Sequence, residues 1–239
     1  GDYVNVPFGK KIITGVVWDQ FEEYNNKKFK IKSIIQKLNI EPLKKETIKF
    51  LNWFSEYNLV PLGMVLKLHL LSGAAIEKQK KEEYQKYQIV TNKEKYKLSD
   101  EQDNNFRELI KIDKSFRVHL LQGTTGSGKT IVYFKAIEKI VNQGKQSLIL
   151  LPEIGLTGEF EKKFKNFFGF EAAIWHSKIT PKRKKVIWSG LANGEIKVVI
   201  GARSSLFLPF KKLGLIIVDE EHDQSFKQDE GVTYNARDM

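Results

Sequence analysis

Residues Gly123-Thr124-Thr125-Gly126-Ser127-Gly128-Lys129-Thr130 follow an apolar run, Val118 to Leu121, and precede a helix-like run, Ile131 to Val141. Strand, glycine-rich loop and helix in that order form a P-loop, and no other stretch constrains the fold as much. The glycines let backbone N–H groups turn inward on phosphate oxygens, and the helix start adds the positive end of its dipole. Lys129 is placed to reach the β- and γ-phosphates of ATP, and the Thr130 hydroxyl to ligate Mg²⁺. Gly123, Thr125, Gly126, Ser127, Gly128, Lys129 and Thr130 are the candidate ATP-binding residues. The competing reading, a glycine-rich turn before a helix, does not use the full pattern.

A P-loop needs a parallel sheet around it, and residues 99–239 supply the pattern for one. Continuous apolar runs at Val118–Leu121, Ser147–Leu151, Ala172–Trp175, Lys197–Ile200 and Leu213–Val218 read as strands. Helical segments at Lys129–Asn142, Leu156–Phe168 and Pro181–Asn193 fall between them. Apolar strands alternating with helices predict an α/β fold whose parallel sheet is covered on both faces.

The last of these strands ends in acids, Leu215-Ile216-Ile217-Val218-Asp219-Glu220-Glu221-His222. Strands of such sheets deliver side chains to the carboxyl edge, where ligands bind. Asp219 is a candidate Mg²⁺ ligand with Thr130, and Glu220 a candidate base for the attacking water. Lys129, Asp219 and Glu220 form the candidate catalytic set.

The first 60 residues form a different unit. Tyr3 to Phe8 alternates, Gly9-Lys10-Lys11 turns, and Ile12 to Trp18 is β-branched and apolar, which predicts a β-hairpin. Phe29 to Ile35 reads as a further strand, Thr47 to Tyr57 as a helix and Gly63 to Leu71 as another. The domain boundaries expected are 1–60, 61–98 and 99–239. Within the middle region, Ala74 to Lys97 is rich in Lys, Glu and Gln and reads as a solvated helix or linker. Tyr84, Tyr87 and Tyr96 offer contacts to a neighbour or stacking surfaces for bases as the alternative.

The 239 residues carry a net charge of +11 and a pI of about 9.5, which points to a polyanionic partner, nucleic acid before an acidic membrane. Lys, Ile and Asn are abundant and Arg is scarce, so compositional bias explains part of the charge. No apolar run of eighteen residues is present, which gives no transmembrane candidate and no membrane partner. The absence of Cys excludes disulfides and thiolate zinc sites within these residues and fits a cytoplasmic setting.

Asp219-Glu220-Glu221-His222 is a DExH-type box, as in superfamily 2 helicases, and the flanking segments are narrower. Leu151-Pro152-Glu153-Ile154-Gly155-Leu156-Thr157 resembles the PEIxLT segment of the PriA family of replication-restart helicases. Gly201 to Phe210 resembles its GTRSALFAPF segment, and Asp219 to Gly231 its DEEHDxSYKQxEG signature. Tyr234 to Asp238 resembles its YxARD, and Val6-Pro7-Phe8-Gly9 its N-terminal VPFG.

That resemblance implies a RecA-like helicase lobe 1 preceded by a small β-rich domain that binds DNA 3′ ends. It implies ATP-dependent 3′-to-5′ unwinding at stalled or collapsed forks, followed by primosome assembly for replication restart. Forked and single-stranded DNA, primosome proteins and single-strand-binding protein are the implied partners. A bacterial cytoplasm, at the nucleoid, is the implied location. Ser99-Asp100-Glu101-Gln102 stands where the family has LxxEQ, so Gln102 is a candidate adenine reader.

Thr157, Arg203 and Ser204 become candidate contacts to single-stranded DNA, in competition with helix capping or a solvated loop. His222 becomes a candidate coupler between nucleotide state and DNA grip, and His176 a weaker one. Phe207, Phe210 and Phe226 read as packing, and His69 and His119 as structural.

The chain also departs from the family pattern. The family's first strand precedes residue 1, and residues 63–98 are too few for its winged-helix domain. The second lobe with its arginine finger, and a cysteine-rich insert holding Zn²⁺, would lie beyond Met239. Arginine fingers are worth roughly 10³–10⁵ in rate, so these residues alone are expected to bind ATP–Mg²⁺ weakly, hydrolyse it slowly and not unwind DNA. Two rival readings remain: another superfamily 2 translocase of the restriction or repair type, and a nucleotide-dependent DNA-binding module.

Overall fold

A computed structural model describes residues 1–19, 31–70, 81–89, 96–111, 116–124 and 126–239. Its centre is a four-stranded parallel sheet of β4 (Gln146–Leu150), β5 (Ala173–Trp175), β6 (Val198–Gly201) and β7 (Leu213–Val218), in the order β5-β6-β4-β7. Every residue of β4 is buried. Its side chains alternate between two cores, Leu148 and Leu150 on one side and Ile149 with Leu151 on the other. A strand covered on both faces has no polar face to show, which is why its sequence reads as one apolar run. Gln146 opens the strand and is buried without cost. Its amide donates to Leu191 O and Ile196 O and accepts from Lys212 N.

Helices α4 (Lys129–Asn142) and α5 (Gly158–Phe168) cover one face of the sheet and α6 (Pro181–Asn193) the other. Phe134 of α4 packs on Phe164, Phe167 and Phe168 of α5, with ring centroids 5.2–5.7 Å apart. Such aromatic pairs add about 0.5–1.5 kcal/mol each beyond their buried area, so this cluster anchors the helix that follows the P-loop. The ends of α6 are written locally. Thr180 caps the first turn by accepting from Arg183 N, Pro181 fits the first helical position, and Gly194 closes the helix at φ 78°.

At the amino end, β1 (Tyr3–Phe8) pairs with β2 (Lys11–Val16) as the expected hairpin and with β3 (Gln36–Lys37) on its other edge. The strand expected at Phe29–Ile35 is not found. Residues 29–30 lie outside the described set, residues 31–35 carry no strand, and the pairing falls on Gln36 and Lys37 instead. Helices α1 (Lys45–Tyr57) and α2 (Leu62–His69) follow, burying Leu51, Phe54 and Val65.

This amino-terminal unit shares one continuous core with the sheet rather than standing apart. Phe54 meets Phe207 edge to face at 5.0 Å, and Tyr3 meets Trp188 at 5.7 Å. His69 is buried at the centre of the joint. Its Nδ1–H donates to Phe207 O at 2.7 Å, which leaves Nε2 to accept from the Tyr3 hydroxyl at 3.0 Å. Trp188 Nε1 donates to His69 O. The structural reading of His69 agrees with this placement. Phe207, Phe210 and Phe226 are likewise buried in the core, as read from the sequence.

Three expectations are corrected. Residues 81–87 form a 3₁₀ helix, and Tyr84 and Tyr87 are buried, with the Tyr84 hydroxyl donating to Ser189 Oγ. Tyr96 stacks on Phe167 at 5.0 Å. These tyrosines dock the connecting region onto the lobe, so its described part is not a solvated linker; residues 71–80 and 90–95 lie outside the described set.

Val118–Leu121 forms no strand. Phe116, Val118 and Leu120 are exposed, and among the described residues no strand pairs with the second edge of β7. Apolar alternation supplies strand propensity, but a strand exists only once a partner edge takes its hydrogen bonds. His119, in the same segment, is exposed and holds no structural position.

Two short strands, β8 (Lys227–Gln228) and β9 (Tyr234–Asn235), pair after the acidic box and were not expected. Among the described residues no helix is long and apolar enough to cross a membrane.

Candidate nucleotide site

The glycine-rich loop leads directly into α4, whose N-cap is Gly128 at φ 84°. That left-handed backbone is strained for any residue with a side chain, and a Cβ at Gly128 would also strike the Gln102 amide. Ser127 N–H bonds Thr124 O at 3.2 Å, closing the turn. Lys129 Nζ donates to Gly123 O at 2.5 Å and Thr124 O at 3.1 Å, so the loop is wrapped around the ammonium group. Thr125 lies outside the described residues. The other candidate ATP-binding residues of the loop, Gly123, Gly126, Ser127, Gly128, Lys129 and Thr130, lie in or beside the turn that leads into α4.

Gln102 reaches this loop from α3 (Asp100–Leu109). Ser99 and Gln102 form a capping box: Ser99 Oγ accepts from Gln102 N, and Gln102 Oε1 accepts from Ser99 N. Its Nε2 donates to Ser127 O at 3.0 Å. The capping box spans four consecutive residues, while the bond to the P-loop joins residues 25 apart and was not read from the sequence.

Asp219 follows β7, and its N–H bonds Leu150 O at 3.1 Å, which places it at the carboxyl edge of the sheet. One carboxylate oxygen, Oδ1, accepts from Glu220 N at 3.1 Å, and the other, Oδ2, from the Tyr133 hydroxyl at 2.8 Å. Tyr133 was missed by the sequence reading. It stands three residues beyond Thr130 on α4, so the helical period puts both on one side of the helix. Thr130 is a second polar neighbour of the Tyr133 hydroxyl. Burial first, and then the Asp219 charge, push that phenol far above its usual range, so it stays a donor.

The backbone of Glu220 is left-handed at φ 52°, an uncommon conformation for a residue with a side chain and one that clusters at functional sites. His222 lies 3.7 Å from the Glu220 carboxylate. Glu221 pairs with Arg237 at 3.1 Å.

Thr130 and Asp219 offer hard oxygen donors around one phenol, and that donor set fits Mg²⁺.

The candidate DNA contacts sit elsewhere along this edge. Thr157 is exposed and caps α5 by accepting from Phe160 N at 3.3 Å. Arg203 is half-buried. Its Nε donates to Gln228 Oε1 at 2.7 Å, and one terminal nitrogen donates to Ser225 O and Lys227 O at 2.9 and 2.8 Å. The guanidinium therefore ties the loop after β6 to the segment after the acidic box. Ser204 beside it is exposed, while Ser205 is buried and donates to Ala202 O. His176 Nδ1 accepts from Lys178 N, a local turn contact.

Comparison with known proteins bears on the whole chain. Residues 83–236 match the family described as type III restriction enzyme, res subunit, and residues 1–71 match a 3′DNA-binding domain (3′BD). The replication restart protein PriA of Rickettsia conorii is 43% identical over 238 residues, taking in 100% of this chain. The chain belongs to the PriA family.

The PriA proteins of Helicobacter pylori and Bacillus subtilis are 48% and 43% identical over 142 and 145 residues, each covering 59% of this chain. The chain spans 36% of the length of the Rickettsia conorii PriA. PriA membership accounts for both matches at once, the 3′DNA-binding domain at the amino end and the helicase-type lobe behind it. Another superfamily 2 translocase, or a regulatory DNA-binding module, is not favoured beside it.

Proposed function

We propose that this chain carries the ATP-binding lobe and a 3′-end DNA-binding unit of an ATP-dependent DNA helicase. It moves 3′ to 5′, recognises stalled or collapsed replication forks and initiates primosome assembly for restart. Primosome proteins and single-strand-binding protein are its partners, and the bacterial cytoplasm at the nucleoid is its place. What supports the reading is that Asp219, at the carboxyl edge of a parallel sheet, and Thr130, next to Lys129 at the start of α4, both neighbour the Tyr133 hydroxyl, in a chain whose residues 1–71 match a 3′DNA-binding domain.

In this reading the Lys129 ammonium exchanges the Gly123 and Thr124 carbonyls for phosphate oxygens of ATP, and the loop N–H groups and the α4 start complete the cradle. Thr130 and Asp219 would hold Mg²⁺, which neutralises phosphate charge when bound. Glu220 orients the attacking water and takes its proton. Gln102 keeps one amide N–H and one oxygen lone pair beyond its present bonds, the donor and acceptor an adenine edge requires.

Arg203, Ser204 and Thr157 grip the sugar–phosphate backbone of single-stranded DNA. Because Arg203 also holds Ser225, Lys227 and Gln228, a DNA contact there pulls on the segment that follows His222. That linkage supports the role of His222 as coupler.

The test is binding of a fluorescent ATP analogue in Mg²⁺ buffer. Lys129→Ala removes the Lys129 ammonium from the loop and is expected to weaken binding about tenfold or more. Equal affinity of the variant would reject the nucleotide site. For the helicase reading, the protein carrying these residues should hydrolyse ATP faster with forked DNA than with blunt duplex, and no such preference would reject it.

A further inference from the structure

Resting on the nucleotide site proposed above, we infer that Tyr133 is a positioning residue that presets the two protein oxygens meant for a divalent cation. A buried phenol must find a partner, since an unpaired hydroxyl inside a protein is costly. Phenylalanine would fill the same space without that demand. Tyr133 is 4% exposed and its ring is pinned edge to face on Phe134 at 5.3 Å. Its hydroxyl is therefore carried by α4 to a fixed point.

That point lies 2.8 Å from Asp219 Oδ2 and beside Thr130. The opposite oxygen of the carboxylate is fixed by the Glu220 N–H. Two donors, one on each oxygen, restrain the side-chain torsion of Asp219, and each oxygen keeps a further lone pair for a cation or its water.

The arrangement has a mechanical consequence. Asp219 belongs to the strand end and Thr130 to the P-loop helix, so their separation would otherwise depend on how loop and sheet drift apart. Tyr133 joins the two across the gap. A carboxylate free to rotate must be ordered when the cation arrives, and preordering removes that entropic cost from binding. The cation requirement of the site is then set partly by a residue that touches neither nucleotide nor metal.

The experiment uses a fluorescent non-hydrolysable ATP analogue, titrated with Mg²⁺ and measured again in excess EDTA. Tyr133→Phe is expected to bind the analogue like the wild type in EDTA and to need about tenfold more Mg²⁺ for half-maximal enhancement, with an unchanged unfolding midpoint. Tyr133→Leu, which also loses the ring contact to Phe134, is expected to give the same shift in the Mg²⁺ midpoint at a lower unfolding midpoint. In an Asp219→Asn background, Tyr133→Phe should change nothing further.

An unchanged Mg²⁺ midpoint overturns the inference. So does an equal loss of affinity in EDTA, which would mark a structural role only, or full additivity with Asp219→Asn. If the wild type shows no Mg²⁺-dependent binding at all, the nucleotide site itself fails and the inference falls with it.

Discussion

His69 shows how one buried side chain can make a joint sensitive to pH. Burial pulls its pKa down to about 4 from an ordinary 6.5, against the opposing pull of its bond to Phe207 O. The unfolded chain therefore binds a proton between pH 6.5 and 4 that the folded chain refuses. Stability is full above pH 6.5 and falls as pH drops through that window, by about 3 kcal/mol in all. Urea unfolding at pH 7 and pH 4.5 measures it. His69→Gln, which does not titrate there, should flatten the difference, and an equal slope in the variant would refute the assignment.

The other residue-scale lesson concerns roles that a sequence states in part. Lys129 and Asp219 draw candidate roles from the sequence because each motif suggests one chemical use. Tyr133 was not, because its partner lies 86 residues away and nothing local requires a hydroxyl there.

Elements obey local rules where their ends are concerned and tertiary rules where their pairing is concerned. Helix α5 begins at Gly158, where Thr157 can cap it, two residues after the start expected at Leu156. Thr157→Ala should cost about 1 kcal/mol of stability by denaturant unfolding, and Thr157→Ser almost nothing. An unaltered midpoint in the alanine variant would show that the cap is idle. If Thr157 also grips a phosphate, the same variant weakens single-stranded DNA binding with the salt slope unchanged, because its hydroxyl carries no charge.

Segment 116–121 makes the contrary point. Its apolar run Val118–Leu121 reads as a strand, yet Phe116, Val118 and Leu120 are exposed and the segment joins no sheet. Strand propensity is settled by packing and by a partner, and neither is encoded in six residues.

At the scale of the molecule, the amino-terminal unit and the ATP lobe share a single core through Tyr3, Phe54, His69, Trp188 and Phe207. The net charge of +11 belongs to this scale as well. Log affinity for single-stranded DNA should fall linearly with log salt between 50 and 200 mM, with a slope of about −0.7 for each phosphate neutralised. A flat response, measured by fluorescence anisotropy, would make the lysines a matter of composition and remove DNA from the argument from charge.

The sequence by itself determined what depends on short-range order. It gave the P-loop and its helix, the apolar runs of β4, β6 and β7, the acids at the strand end, the hairpin and the family signature, because each is read over a few consecutive residues. Tertiary structure alone decided which of those runs pair and which side chains meet. It left Val118–Leu121 outside the sheet, buried Tyr84 and Tyr87 in what reads as a polar connector, turned Arg203 onto the segment after His222, and brought Tyr133 to Asp219. The reason is physical. A hydrogen bond or a packed ring needs a partner at a distance of a few ångströms, and a partner distant in the chain is supplied by the fold and not by the neighbouring residues.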